Sequence, residues 1–179
     1  ENSIKAVKEL FDAAQKIELL VLVVDGVLTD GKLYYGNSGE ELKGFDIQDG
    51  LGIKLLQNGN IQVGIITGRM SSLLQRRADE LGISPVIQGR EDKLTALNEL
   101  LPSLDITLDE IAFIGDDLPD LAVIKRVGLG ITVANASSTL AAEASWQTVS
   151  TGGNGAVREV AEMILTAQEK FSKIVEQYQ

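Results

Sequence analysis

The sequence contains no cysteine and no histidine. The lack of cysteine excludes disulfides, thiolate nucleophiles and zinc–cysteine sites, and it fits a reducing compartment. The lack of histidine removes the usual general base and the commonest ligand for zinc, copper or iron. The chemistry left to the chain belongs to Asp, Glu, Ser and Thr oxygens, helped by Lys and Arg. Sites built from oxygen suit magnesium, calcium or manganese.

Long apolar runs and excess positive charge are also missing. The longest continuous apolar run, Leu19 to Val24, is far short of the ~20 residues that span a bilayer. The net charge of −10 disfavours nucleic acid or an anionic membrane as a partner. No signal peptide is visible at the N-terminus, where Glu1 stands in place of a start methionine. We therefore expect a cytoplasmic protein without nucleic-acid or membrane partners.

The length of 179 residues suits one domain covering 1–179. Apolar runs alternate with helical patterns, which predicts an α/β fold with a parallel sheet and helices on both faces. The predicted strands are residues 17–24, 61–66, 84–87, 111–114 and 129–133. The predicted helices are residues 3–16, 52–58, 70–81, 92–101 closed by Pro102, 121–127, 137–144, and one long closing helix within 155–177. A hairpin is predicted from residues 32–35 and 41–45, and forms a flap over about 31–46.

Polar residues follow the apolar runs abruptly at the ends of three predicted strands. Asp25 follows the first strand, Thr67-Gly68 the second and Asp116-Asp117 the fourth. In parallel sheets the reactive groups collect at the carboxyl ends of the strands, near a switch point in strand order. Clustered carboxylates beside an apolar core repel one another, and a divalent cation is the natural compensation. The pattern predicts one site for a cation at this edge.

The same edge offers groups for a phosphate. The Thr67 hydroxyl and the Gly68 backbone N–H are both suited to a phosphate oxygen. Lys93 begins a helix, where a cation is mildly unfavourable against the helix dipole, so another purpose is indicated. Each signal alone has an ordinary explanation as a cap, a turn or a solvated lysine. Their combination favours a shared site for a metal ion and a phosphoryl group.

In order and spacing these residues resemble the haloacid dehalogenase superfamily over nearly the whole chain. The first motif of that superfamily reads Asp-x-Asp-Gly-Val-x-Thr. The corresponding segments here are Val23-Val24-Asp25-Gly26-Val27-Leu28-Thr29, Ile66-Thr67-Gly68, Lys93 and Gly115-Asp116-Asp117. The resemblance implies a Rossmann-like fold and a magnesium-dependent phosphatase that works through an aspartyl-phosphate.

A finer resemblance is to the family of 3-deoxy-D-manno-octulosonate 8-phosphate phosphatases. It implies a sugar phosphate as substrate and a role in lipopolysaccharide synthesis in a Gram-negative bacterium. The segments that carry it are Asp30-Gly31, Gly39-Glu40-Glu41, Asp49-Gly50, Gly52-Ile53-Lys54, Thr67-Gly68-Arg69, Gly115-Asp116-Asp117-Leu118 and Gly152-Gly153-x-Gly155-Ala156-x-Arg158-Glu159.

The resemblance also implies a role for each matching residue. Asp25 would protonate the leaving sugar oxygen, then activate water, and lend its backbone carbonyl to Mg²⁺. Asp116 would ligate the metal, and Asp117 would support that shell from nearby. Thr67 and Lys93 would hold the phosphoryl oxygens. The sugar-phosphate site would be lined by Gly26, Asp46, Asp49, Gly50, Lys54, Gly68, Arg69 and Arg77.

No cap domain is expected, because only the short hairpin separates Asp25 from Thr67. An uncovered site would be wet, which weakens electrostatic catalysis. The resemblance implies that a homotetramer supplies the cover, with the hairpins packed together and one subunit closing its neighbour's site. The segment Gly152 to Glu159 and the C-terminal helix and tail, about 155–179, are the candidate contacts.

Val23 stands where the superfamily has its nucleophilic aspartate. Valine supplies neither an attacking oxygen nor a metal ligand, and losing a covalent nucleophile commonly costs on the order of 10⁴- to 10⁶-fold in turnover. The fold should tolerate it, because a β-branched residue suits the end of a buried strand and one repelling carboxylate is gone. Since the other motif residues are present, a single substitution in an intact site is favoured over long-abandoned catalysis.

Two other functions fit parts of this pattern. A non-catalytic protein that binds a phosphosugar, or regulates a partner, would explain Val23. A response-regulator receiver also uses acids, Thr and Lys around magnesium, but its acidic pair follows the first strand and it has no place for the hairpin. The impaired phosphatase is therefore the first hypothesis and the binding protein is the second.

Overall fold

The computed structural model describes residues 2–39 and 41–179, and within them a parallel sheet of six strands forms the centre. The strand order is β5-β4-β1-β6-β7-β8, and the hairpin strands β2 and β3 pair antiparallel beside it. The strands are β1 Leu19–Leu22, β2 Tyr34–Tyr35, β3 Glu41–Leu42, β4 Gln62–Ile66, β5 Val86–Ile87, β6 Ile111–Gly115, β7 Leu129–Thr132 and β8 Trp146–Gln147.

Helices connect these strands and cover the sheet. The helices form two packed groups, one of α1, α2 and α7 and the other of α4, α5 and α6. The helices are α1 Asn2–Gln15, α2 Ile47–Asn58, α3 Ser72–Leu81, α4 Lys93–Leu104, α5 Leu121–Ile124, α6 Ser138–Glu143, α7 Ala156–Ala167 and α8 Phe171–Glu176. The predicted α/β class with a helix-covered parallel sheet is confirmed. No helix of the described residues is long and apolar enough to cross a bilayer.

The central strand β1 determines where the functional site forms. Its four residues are all buried, and it pairs in parallel with β4 on one side and β6 on the other. Leu22 is in register with Ile65 of β4 and with Ile114 of β6. The three strands therefore end at nearly the same level, so the polar residues that follow them start from one edge of the sheet.

Several predicted helix boundaries are wrong: α3 begins at Ser72 and not at Met70, and α5 ends at Ile124 and not at Val127. Helix α2 begins at Ile47 and not at Gly52, because the Asp46 side chain accepts a hydrogen bond from the Asp49 N–H at 2.9 Å and caps an earlier turn. Helix α4 continues through Pro102. A proline this close to the end of a helix lacks one donor but leaves the last turn intact. The helix ends at Leu104, because the next residue, Asp105, has a left-handed backbone with φ 53°; the Asp105 N–H donates to the Leu101 carbonyl at 3.0 Å.

The C-terminal region also differs from the prediction of one long helix. Helix α7 ends at Ala167 and α8 begins at Phe171, because Glu169 adopts a left-handed φ of 58° between them. The Lys170 ammonium donates to the Gly59 carbonyl at 2.7 Å and holds this corner against the end of α2. The sixth strand, β8, was not predicted, because Trp146–Gln147 is a two-residue strand that lies between polar residues and not in an apolar run. Glu1, and Glu40 of the Gly39-Glu40-Glu41 motif, lie outside the described residues.

Asp49 ties α2 to the start of α7. Its side chain is buried, and its carboxylate accepts backbone N–H groups of Gly155 at 3.4 Å and Arg158 at 3.0 Å. Burial, opposed by these hydrogen bonds, raises the pKa of Asp49 to about 6. The sequence placed Asp49 in the sugar-phosphate site, but in the structure its carboxylate is used to join two helices.

We expect the Asp49→Ala substitution to lower the free energy of unfolding by about 1–3 kcal/mol, because two partly buried N–H groups lose their acceptor. Urea unfolding monitored by circular dichroism measures the change. Asp12→Ala, on the exposed side of α1, is the matched control and should change stability little. Equal stabilities of the two variants would contradict the role given to Asp49.

Candidate active site

A cavity of about 240 Å³ lies at the carboxyl ends of β1 and β4. Five residues predicted for the site, Asp25, Thr67, Gly68, Arg69 and Lys93, lie together in its wall. The remaining lining residues are Val23, Val24, Glu91 and Pro119. The acid, the hydroxyl and the lysine that the sequence places far apart are thus brought into one pocket.

The Asp25 loop is a tight turn that directly follows β1. The Thr29 N–H donates to the Val24 carbonyl at 3.1 Å and closes the turn. Gly26 has φ 91°, a conformation that favours glycine. A Cβ on Gly26 would also overlap the carboxylate of Asp116. Gly26 therefore lets the Asp25 loop and the Asp116 side chain meet, and that is the role the structure gives it.

The glycine-rich turn before α7 packs against the other side of this loop. A Cβ on Gly152 would overlap the Gly26 carbonyl, and the Gly153 N–H donates to the Val27 carbonyl at 2.9 Å. The sequence analysis predicted that this turn is a candidate contact between subunits. In the structure it supports the Asp25 loop of its own chain, which accounts for the two glycines without a second subunit.

Asp116 and its neighbours form an acidic group next to Gly26, and they are not among the residues that line the cavity. Burial, followed by the charges of Asp120 and Asp117, raises the pKa of Asp116 to about 7, with Lys93 opposing the shift. Asp117 was predicted to support the metal shell. Its side chain instead accepts a hydrogen bond from the Leu118 N–H at 2.8 Å, and the residue is exposed. The structure thus gives Asp117 the place of a turn cap.

Asp120 is a central residue that the sequence reasoning missed. Its side chain is only 1% exposed, and Oδ1 accepts a hydrogen bond from the Lys93 ammonium at 2.5 Å. The other oxygen, Oδ2, accepts the backbone N–H groups of Asp116 at 2.9 Å and Asp117 at 3.3 Å. One buried carboxylate therefore fixes both the lysine and the Asp116 loop. The sequence signal that could have identified Asp120 is its position as a third acid, four residues after Asp116.

Lys43 is the second residue that was missed. Its ammonium donates to Asp25 Oδ1 at 2.8 Å, and its side chain is 3% exposed. Lys43 directly follows β3 of the hairpin, so this contact joins the flap to the Asp25 loop. No local sequence pattern predicts the Lys43–Asp25 contact, because the two residues are 18 positions apart in the sequence.

The donor set suits a magnesium ion but provides few ligands. Asp116 is a partly buried carboxylate whose ionised form a cation would stabilise, and Asp25 directly precedes Gly26, whose backbone packs against the Asp116 carboxylate. Within residues 2–39 and 41–179, no group of three or more His, Cys, Asp or Glu side chains is arranged to hold a metal. Val23, in the pocket wall, contributes methyl groups where a third carboxylate would stand. Magnesium therefore fits the chemistry, with Asp116 and Asp25 as the residues that would hold it.

The remaining predicted substrate residues lie outside the cavity wall. Asp46 caps α2, and Gly50 packs against the guanidinium of Arg77 on α3. The Lys54 ammonium lies near Gly82 at the end of α3. These residues form a separate group between α2 and α3. Within this chain they do not contribute to the pocket that holds Asp25.

The chain is similar to known proteins over most of its length. Residues 86–160 match the family model of haloacid dehalogenase-like hydrolases. A 3-deoxy-D-manno-octulosonate 8-phosphate phosphatase from Yersinia pestis is 48% identical over 91% of this chain and 87% of its own. The Moraxella catarrhalis phosphatase of that name was solved in complex with a magnesium ion, a phosphate ion and a KDO molecule. It is 48% identical, the match covers 96% of this chain and 99% of that chain, and the TM-score is 0.94. A Legionella pneumophila structure described as a putative HAD superfamily hydrolase is 45% identical, with coverage of 99% and 97% and a TM-score of 0.96.

We expect Mg²⁺ to bind about tenfold more tightly at pH 8 than at pH 6, because Asp116, with a pKa of about 7, must lose its proton to bind the ion. The raised pKa also means that the folded, metal-free chain holds an extra proton between about pH 4 and 7. Its free energy of unfolding should therefore fall as the pH rises through this range.

Thermal unfolding with and without Mg²⁺ at the two pH values measures both effects. Asp116→Asn should remove the Mg²⁺-dependent rise in Tm and leave the contribution of Asp49, which titrates near pH 6. An equal Mg²⁺ effect on Tm at pH 6 and pH 8 would show that Asp116 is not the ligand.

Proposed function

Because the chain belongs to the 3-deoxy-D-manno-octulosonate 8-phosphate phosphatases, within the haloacid dehalogenase-like hydrolases, we propose that it is a magnesium-dependent phosphatase for that sugar phosphate whose covalent step is impaired by Val23. The observation that carries the proposal is the convergence of Asp25, Thr67 and Lys93 on one cavity. The phosphate and KDO bound to the M. catarrhalis relative support the choice of substrate.

The proposed roles follow from the position of each group in the cavity. Lys93, held by Asp120, and the buried Thr67 would bind the phosphoryl oxygens, while Asp25 would donate a proton to the leaving sugar oxygen. Mg²⁺ would neutralise charge on the phosphoryl group when bound. Arg69, in the wall beside Thr67, and Gly68, with its backbone N–H, would contact the substrate next to the phosphate.

Val23 would limit this activity, while the other groups that line the cavity stay in place. Valine cannot attack phosphorus, and it also removes one oxygen ligand for the cation. The side chain is 3% exposed and belongs to the apolar core, so it is compatible with the fold. Substrate binding should therefore persist while formation of an aspartyl-phosphate is lost.

We expect Val23→Asp to increase phosphate release from 3-deoxy-D-manno-octulosonate 8-phosphate by about 10⁴-fold or more, because it restores the attacking oxygen. A colorimetric phosphate assay with Mg²⁺ over a panel of sugar phosphates measures this. Val23→Asn is the matched control, since it has nearly the same shape but no nucleophilic carboxylate. The proposed activity is wrong if Val23→Asp releases no phosphate from any member of the panel.

A second candidate function is a phosphosugar-binding protein without turnover. The observation in its favour is that Val23 replaces the nucleophile while Thr67 and Lys93 still line the cavity. Calorimetry with sugar phosphates and Mg²⁺ separates the two functions. Tight binding by the chain, together with no turnover by Val23→Asp, would favour the binding protein.

The proposal also includes a cytoplasmic location, which the lack of cysteine fits.

A homotetramer assembled through the hairpins is a further part of the proposal. Exposed apolar side chains on and beside the hairpin support such an assembly: Tyr35 is 71% exposed, Leu42 65% and Ile47 82%. A second subunit packed there would shield the cavity from water. The basic residues Lys54 and Arg77, outside the cavity of their own subunit, would then be available to a neighbour's site.

We expect Leu42→Asp to shift the chain from tetramer to smaller species, because it places a charge in the packed hairpin surface. Sedimentation velocity measures the distribution of species. Val149→Asp, at a side chain that is 89% exposed and far from the hairpin in sequence, is the control and should leave the distribution unchanged. A monomeric unmodified chain would contradict the proposed assembly.

A further inference from the structure

The Lys43–Asp25 contact has features that a surface ion pair lacks. The Lys43 ammonium lies 2.8 Å from Asp25 Oδ1, and the lysine side chain is 3% exposed although it belongs to the hairpin region. The Asp25 side chain is 26% exposed and faces the cavity. The pair is therefore sheltered on the lysine side and open to ligands on the aspartate side.

Burying this lysine constrains its geometry. An ammonium removed from water is costly unless it meets an opposite charge, and a long side chain loses rotamer freedom when it is fixed. A charge-assisted hydrogen bond at 2.8 Å offsets these costs only over a narrow range of positions. Lys43 thus restricts where the Asp25 carboxylate can point.

The hairpin depends on such a contact as well. Its ladder has two residue pairs, Tyr34 with Leu42 and Tyr35 with Glu41. A two-stranded hairpin of this size is marginally stable by itself in water. The Lys43 side chain, one residue beyond β3, connects it to the loop at the end of the central strand β1.

We propose that Lys43 is a positioning residue, which orients the Asp25 carboxyl group toward the cavity and fastens the β2–β3 hairpin to the active-site loop. Because Oδ1 bonds Lys43, Oδ2 is the oxygen that meets the leaving group. Proton transfer needs a heavy-atom distance of about 2.6–3.2 Å, and a misplacement of about 1 Å can cost on the order of 10²-fold. This inference rests on the proposed function, which gives Asp25 its role.

The first test uses the chain with Val23 in place and measures hydrogen exchange of the hairpin backbone amides by mass spectrometry. Lys43→Met and Asp25→Asn should each increase the exchange rate by about tenfold, because the first removes the donor and the second replaces the charged acceptor by a neutral amide oxygen, which binds an ammonium more weakly. The double variant should exchange no faster than Lys43→Met alone, since the second substitution affects a contact that the first has already removed. Lys32→Met, an exposed lysine at the start of the hairpin region, is the matched control and should leave the rate unchanged.

Unchanged exchange in Asp25→Asn, or rates that multiply in the double variant, would overturn the proposal. Asp25→Asn keeps the lysine, so it decides the question if Lys43→Met fails to fold. Lys43→Arg, which retains the charge, should keep the exchange rate near that of the unmodified chain. A rise equal to that of Lys43→Met would mean that the packing of the lysine stem matters and the ion pair does not.

The second test is made in the Val23→Asp background. Lys43→Met should lower kcat about ten- to hundredfold with KM changed less than about threefold, and Lys43→Arg should recover most of kcat, whereas Lys32→Met should change neither constant. A rise in KM with unchanged kcat would show that Lys43 binds substrate and would overturn the positioning role. If Val23→Asp is inert toward every sugar phosphate, the proposed function fails, and the exchange experiment still decides whether Lys43 and Asp25 are coupled.

Discussion

The parallel pairing of β1 with both β4 and β6 is the constraint on which the site depends. Because Leu22 is in register with Ile65 and Ile114, the polar residues after the three strands start from the same edge of the sheet. Glycines then let the following loops approach more closely than side chains would allow. Gly26 meets the Asp116 carboxylate, and Gly152 packs on the Gly26 carbonyl. The strand register and the close approaches at Gly26 and Gly152 thus bring the loops of the site together.

Electrostatics organises the residues that this packing brings together. Asp120 is buried with Lys93 and with two backbone N–H groups, which makes its charge tolerable and fixes the lysine beside the cavity. On the hairpin side, the Lys43 ammonium likewise pairs with the Asp25 carboxylate and holds it beside the cavity. Asp116 has its pKa raised to about 7 by burial and by neighbouring acids, which is the situation that a bound cation would relieve.

Val23 separates the requirements of folding from those of catalysis. A β-branched apolar residue suits the end of β1, and the side chain joins the core at 3% exposure. The groups that would bind phosphate and metal depend on other contacts, such as the Lys93–Asp120 pair, so they keep their places without a carboxylate at Val23. The pocket is therefore formed with valine at position 23, and both proposed functions, an impaired enzyme and a binding protein, are compatible with it.

The sequence by itself determined the α/β class, five of the six strands of the central sheet, and the convergence of Asp25, Thr67 and Lys93, because apolar strand runs and the polar residues that follow them are local signals. Only the tertiary structure decided where α2 begins, where α7 ends, and what Asp49, Asp120 and Lys43 contact. The partners of these three side chains lie up to 109, 27 and 18 positions away in the chain, respectively. Such pairings depend on how the helices and the hairpin pack on the sheet, and no local pattern of residues encodes that packing.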